Sequence, residues 1–129
     1  MKKGDIMKEK LLLFGFEDLP SILAVQVAVA PLGIEVVSVP RADYGKTMAV
    51  LAGLEREKVP SGPDSGLPLG GRMMVLVGLT DKVEQVLPLL RSAGAGCLKA
   101  VLTPNNRTWS ARRLYGELSR EHRAFQGGK

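Results

Sequence analysis

The 129-residue sequence contains one cysteine, Cys97, one histidine, His122, and one tryptophan, Trp109. A single cysteine excludes an intrachain disulfide, and one Cys with one His cannot supply the ligands of a zinc site. Aromatic residues make up only 5%, so a core has to come from Leu, Val, Ile, Met and Ala. There is no serine-centred elbow and no metal-ligand spacing. Gly66–Gly71 lacks the Gly-Lys-Ser/Thr ending of a phosphate loop and reads as linker. Cys97 and His122 would pair as nucleophile and base only across a strand start and a helix end. A buried inert thiol and a surface imidazole are the plainer reading. Glu17/Asp18 and Asp81/Glu84 read as helix-start residues rather than as a catalytic carboxylate pair. No enzyme site can be assembled from these parts, and neither a metal nor a cofactor is expected.

Long uninterrupted apolar runs are also missing. Leu19–Val39 is the most apolar stretch, but Gln26, Pro31, Gly33 and Glu35 break it, whereas a membrane span needs about 20 nearly clean residues. Leu11–Phe16 is short and runs straight into Glu17 and Asp18, unlike a secretory leader. The expectation is a soluble cytoplasmic protein with no membrane partner. The formal net charge of +5 hints at nucleic acid until it is mapped along the chain. Residues 1–10 and 107–129 hold the whole excess, and the body between them is close to neutral. Basic ends are common on solvated termini and need no partner.

A repeated pattern is present. Leu11-Leu-Leu-Phe-Gly-Phe-Glu-Asp18 lies over Met74-Val-Leu-Val-Gly-Leu-Thr-Asp81, each an apolar run followed by Gly, a large apolar residue and an acidic cap. Further on, Gly33 falls on Gly96, Val37 on Val101, Pro40 on Pro104, and Val50, Leu51 and Leu54 on Leu114, Tyr115 and Leu118. Leu11–Gly15 and Met73–Val77 are continuous apolar runs, as expected of strands buried on both faces. Ile34–Val39 and Leu98–Leu102 read as second strands. Asp18 caps a helix to about Ala30. Asp81 with Glu84 resembles a capping box, ahead of Val83, Val86, Leu87 and Leu90 on one helical stripe closed by Gly94 and Gly96. Pro88 conflicts with that helix. A last helix from Ser110 places Ala111, Leu114, Tyr115, Leu118 and Phe125 on one face. Its first-half counterpart, from about Asp43, aligns Tyr44, Met48, Leu51 and Leu54.

These elements predict one α/β domain of the α+β type over residues 1–129, a duplicated β-α-β-α with halves 11–54 and 73–122. Residues 55–71, rich in Gly and Pro, are the expected flexible linker. The architecture expected is a four-stranded ferredoxin-like sheet with an extra helix after each half, the extra helices on the same face or on the opposite one in three layers. Between Ile22 and Ala30 the only polar side chain is Gln26. A helix apolar nearly all round is covered on more than one side, by the connector or a terminus, or by a second copy in a homo-oligomer through residues 19–30.

The densest polar cluster is Thr103-Pro104-Asn105-Asn106-Arg107-Thr108-Trp109-Ser110, between the last strand and the last helix. Open α/β sheets bind ligands beyond strand carboxyl ends, and helix N-termini favour anions. Thr103, Asn105, Asn106, Arg107, Trp109 and Arg113 are therefore the candidate binding residues for a small anionic ligand. The plainer reading is turn, cap and core. Nucleic acid is a weaker reading, through Arg107, Arg112, Arg113, Arg120 and Arg123, because Phe14 and Phe16 sit in or beside a buried run and offer no stacking platform.

Met73–His122, with Gly78, Lys99-Ala-Val-Leu-Thr103-Pro104, Asn106, Trp109 and Glu121-His122, resembles the small bacterial family catalogued as domain of unknown function 3783. That family's mark, a Thr-Pro-x-Asn-x-x-Trp turn entering a final helix, maps onto Thr103, Pro104, Asn106 and Trp109. The first half has Val39-Pro40 but Ala42 and Gly45 where Asn and Trp would stand, and Arg113 replaces an acidic residue frequent in the family. The resemblance implies no known activity. The functional expectation is thus a non-catalytic ligand-binding or self-associating module.

Overall fold

Leu11, Leu12, Leu13 and Phe14 are fully buried, as is the whole of Met73–Val77, and these two runs form the centre of a sheet. The computed structural model describes residues 8–57, 65–94 and 97–127, with side chains of the last stretch described as far as His122. The strands are β1 (Lys10–Phe14), β2 (Glu35–Val39), β3 (Met73–Val77) and β4 (Leu98–Val101), and the helices are α1 (Leu19–Val29), α2 (Met48–Leu51), α3 (Val83–Ser92) and α4 (Ala111–Gly127). Sheet order is β2-β1-β3-β4. β1 runs parallel to β2, with Lys10 opposite Glu35, and antiparallel to β3, with Lys10 opposite Val77; β3 and β4 are parallel, with Met73 opposite Leu98.

This order departs from the ferredoxin-like expectation. In that arrangement another strand splits the two parallel strands of each β-α-β unit, whereas here they are direct neighbours. β1 and β3 can be buried on both faces, so they take the middle and pair antiparallel. Each unit's second strand then lies on the outer edge of its own first strand. Apart from Lys10 at the start of β1, the polar strand residues lie on the edge strands, Glu35 and Ser38 on β2 and Lys99 on β4, which also discourages edge-to-edge pairing.

Period-two alternation sends side chains to opposite faces. Leu11, Leu13, Met74 and Leu76 pack with Val25 and Val29 of α1 and Val86 and Leu90 of α3. Leu12, Phe14, Met73, Val75 and Val77 pack with Met48 of α2 and Ala111 and Leu114 of α4. The extra helices thus lie across the sheet from α1 and α3, in three layers. Phe14 and Phe16 are both buried, and helices cover both faces of the sheet.

Local rules explain most boundaries. The Ser21 N–H donates to the Asp18 carboxylate at 3.0 Å, capping α1. That helix tightens into a single 3-10 turn at Ala30–Leu32 and stops at Gly33, with φ 72°. The capping box expected at Asp81 and Glu84 does not form: Thr80–Lys82 is a 3-10 turn leading into α3, which begins without a side-chain cap. Pro88 lies inside α3 on its exposed face, as does Glu84, so the carbonyl that proline leaves unpaired faces water. Gly96 and the side chains of Arg123 and Phe125 lie outside the described residues.

The first half's closing helix is shorter than expected. Arg41–Asp43 is a 3-10 turn, and α2 spans only Met48–Leu51. Tyr44 is buried on that turn, where its hydroxyl accepts the Gly15 N–H at 2.8 Å. Of the expected linker 55–71, residues 58–64 lie outside the described residues. Its flanks hold to the body: Glu55 pairs with Arg107, Glu57 with Lys46, and the Leu67 carbonyl accepts Arg112.

Candidate functional site

The turn after β4 is built by two residues that lock each other. The Thr103 N–H donates to Asn106 Oδ1 at 3.0 Å, and the Asn106 N–H donates to Thr103 Oγ1 at 3.1 Å. Asn106 Nδ2 donates to the Val101 carbonyl at 3.2 Å, tying the turn to the end of β4. Asn106 is only 9% exposed, and both polar atoms of its side chain are committed within the turn.

The turn in turn supports the first half. The carbonyls of Trp109 and Arg107 accept the Met48 and Ala49 N–H groups, both at 2.9 Å. These are otherwise orphan donors in the first turn of α2. Thr47 Oγ1 accepts the Val50 N–H and Ser110 Oγ the Arg113 N–H, so the caps of α2 and α4 are alike. Thr47 and Ser110 also face each other across an antiparallel bridge. The Arg112 N–H reaches the Tyr44 carbonyl at 3.3 Å. The turn and the start of α4 thus join the two halves beneath the sheet.

Thr103, Asn105 and Arg113 are exposed, and Trp109 is half-buried against the core on the α4 side. The Arg113 guanidinium lies 4.1 Å from the Trp109 ring centroid, a cation–π contact. Arg107 pairs with Glu55 at 3.2 Å. The turn therefore gathers Thr103 with Asn106 and Trp109 with Arg113, while Arg107 faces the first half.

Two other surfaces stand out. On α1, Leu19, Leu23 and Val27 are 63%, 46% and 71% exposed, at i, i+4 and i+8 on one face. Leu23 and Val27 also form one wall of an open apolar groove of about 490 Å³ between α1 and the end of α3, completed by Ala24, Ala28, Leu89, Ser92 and Ala93. The apolar character of α1 is legible in the sequence, but the depression is not, because it joins residues of two separate helices.

The second surface is a cavity of about 1030 Å³ at the other end of β4, where Arg72, Arg91, Lys99, Tyr115, Ser119 and His122 converge. None of the six candidate turn residues lines it. These side chains come from four separate segments of the chain, and no local motif joins them.

The family comparison bears on this half of the chain. Residues 72–125 match the family model described as domain of unknown function (DUF3783). No curated protein and no solved structure matches the chain. The matched segment comprises β3, α3, β4 and α4, a β-α-β-α run, together with the turn just described and all of the cavity's lining but Gly71. Among the described residues, no helix is long and apolar enough to cross a membrane, and no three His, Cys, Asp or Glu side chains gather to hold a metal ion.

Proposed function

We propose that this protein is a self-associating module whose α1–α3 face pairs with the same face of a second copy. The carrying observation is the exposed row of Leu19, Leu23 and Val27, the last two forming one wall of an apolar groove that Ala24, Ala28, Leu89, Ser92 and Ala93 complete. A two-fold axis across this face seats the ridge of one copy in the groove of the other, as closed dimers require of a self-complementary patch. No charged residue occurs from Leu19 to Ile34, and none lines the groove. A charged partner would bury groups without a counter-charge, whereas a second copy brings the same uncharged surface. Completing the burial of Leu23 and Val27 is worth roughly 1–2 kcal/mol for each side chain.

The same placement accounts for a helix apolar almost all round: one side packs on the sheet and the other on the partner. The duplicated plan belongs to this reading. Each half supplies a β-α-β unit and a capped closing helix, and the caps meet at Thr47 and Ser110. The nucleic-acid alternative has less support, because Arg107 and Arg120 are ion-paired with Glu55 and Glu117 and both sheet faces are covered.

Light scattering during size-exclusion chromatography tests the proposal. A mass twice the 13.9 kDa of the chain is expected, falling to one chain for Leu23→Asp/Val27→Asp with an unchanged circular dichroism spectrum. A wild-type protein that stays monomeric at high concentration overturns it.

A further inference from the structure

We propose that the cavity between the start of β4 and the middle of α4 is a binding site for a phosphate-bearing small anion of up to nucleotide size. Three permanent cations line it, Arg72 ahead of β3, Arg91 in the last turn of α3 and Lys99 on β4, and among the described residues no carboxylate does. A cleft walled by charge of one sign focuses potential and concentrates ligands of the opposite sign. Arg72 shares its charge with Asp18 outside the lining, which leaves Arg91 and Lys99 uncompensated; a dianion balances both, and a single carboxylate only one. Guanidinium forks match the oxygens of phosphate.

Some of the side chains are already held in place. One Arg72 nitrogen bonds Asp18, and its guanidinium lies 4.7 Å from the centre of the Phe16 ring. Lys99 Nζ donates to the Cys97 carbonyl at 3.2 Å. Others are uncommitted: among the described residues, Arg91, the Tyr115 and Ser119 hydroxyls and the His122 imidazole make no hydrogen bond or ion pair. Tyr115, Ser119 and His122 stand at i, i+4 and i+7 on α4, one above another on a single face. The Tyr115 hydroxyl lies so close to the 70–71 backbone that a Cβ on Gly71 would come within 2.7 Å of it. Glycine there leaves the phenol room at the cavity wall. The volume sits at the upper end of the range of small-molecule sites.

The experiment uses the full chain and calorimetric titration at low salt with inorganic pyrophosphate, ADP and adenosine. Pyrophosphate and ADP are expected to bind and adenosine not to, with amide shifts in NMR spectra at Lys99, Tyr115 and Ser119. Arg91→Gln/Lys99→Gln should weaken both anions at least ~10-fold, about 1.4 kcal/mol, and Lys99→Arg should retain them. Arg107→Gln/Arg113→Gln, at the far end of β4, should leave binding unchanged. The proposal fails if neither anion binds, if adenosine binds as tightly as ADP, or if the two double variants weaken binding equally. It also fails if a single-stranded oligonucleotide binds where ADP and pyrophosphate do not. Each result is independent of dimer formation through α1, whose variants lie elsewhere.

Discussion

Replacing Asn106 with alanine asks whether the Thr-Pro-x-Asn turn is scaffold or binding site. The side chain makes two hydrogen bonds, accepting the Thr103 N–H and donating to the Val101 carbonyl. Truncation orphans one donor and one acceptor, and an unsatisfied buried group costs about 1–3 kcal/mol. Thr103 is exposed and its N–H can recruit water, which puts that loss near the lower limit; Val101 is half-buried. The expected destabilisation is therefore about 2–4 kcal/mol. Urea denaturation followed by circular dichroism measures it directly, with an unchanged m-value showing that only stability moved. A local readout should accompany it, because the turn's carbonyls accept the Met48 and Ala49 N–H groups. Hydrogen exchange at those two amides should accelerate more than at the central residues of β3. A loss below about 0.5 kcal/mol, within the range of ordinary surface substitutions, would refute the structural account and return Asn106 to the list of ligand-contacting residues.

Four further outcomes follow from the same geometry. Tyr44→Phe keeps the ring beside Phe14 but removes the acceptor of the Gly15 N–H, and should cost about 1 kcal/mol in denaturation. Gly15→Ala should cost more, about 2–4 kcal/mol, because φ is +83° and the new Cβ would lie 2.6 Å from the Gly71 carbonyl oxygen. The Asp18 carboxyl is held below its ordinary value by the bond from Ser21 and by Arg72. Its contribution to stability is complete above the unfolded-state pKa and is lost as pH falls through the folded one, so Asp18→Asn should flatten the acid limb of a stability–pH curve. Burial raises the Cys97 thiol above its usual value, with Lys99 and Arg72 opposing; alkylation at neutral pH should be slower in the folded protein than in urea, and an equal rate would contradict this.

Much of the fold is legible in the residues themselves. Leu11–Phe14 and Met73–Val77 read as strands covered on both faces, because they are short apolar runs without a polar alternation, each closed by a glycine, Gly15 and Gly78. Asp18 announces its helix three residues before the amide it caps, and Gly33 supplies the positive φ that ends it. The turn's chemistry is likewise local, as Thr103 and Asn106 are three residues apart. The capping box at Asp81 misleads because a 3-10 turn at Thr80–Lys82 meets the helix start by another route. The length of α2 is not legible either, because its first amides are satisfied by carbonyls about 60 residues away.

Hydrophobic pattern, turn residues and caps are short-range properties, and they determined which segments became strands and helices and roughly where each begins. Strand order, the face each helix covers and the contents of the cavity depend on pairings between distant segments that no local pattern records. β1 and β3 meet antiparallel because the two strands with fully buried apolar runs share the centre. That choice carries Arg72, Lys99 and α4 to one end of the sheet, and leaves the apolar ridge of α1 facing water.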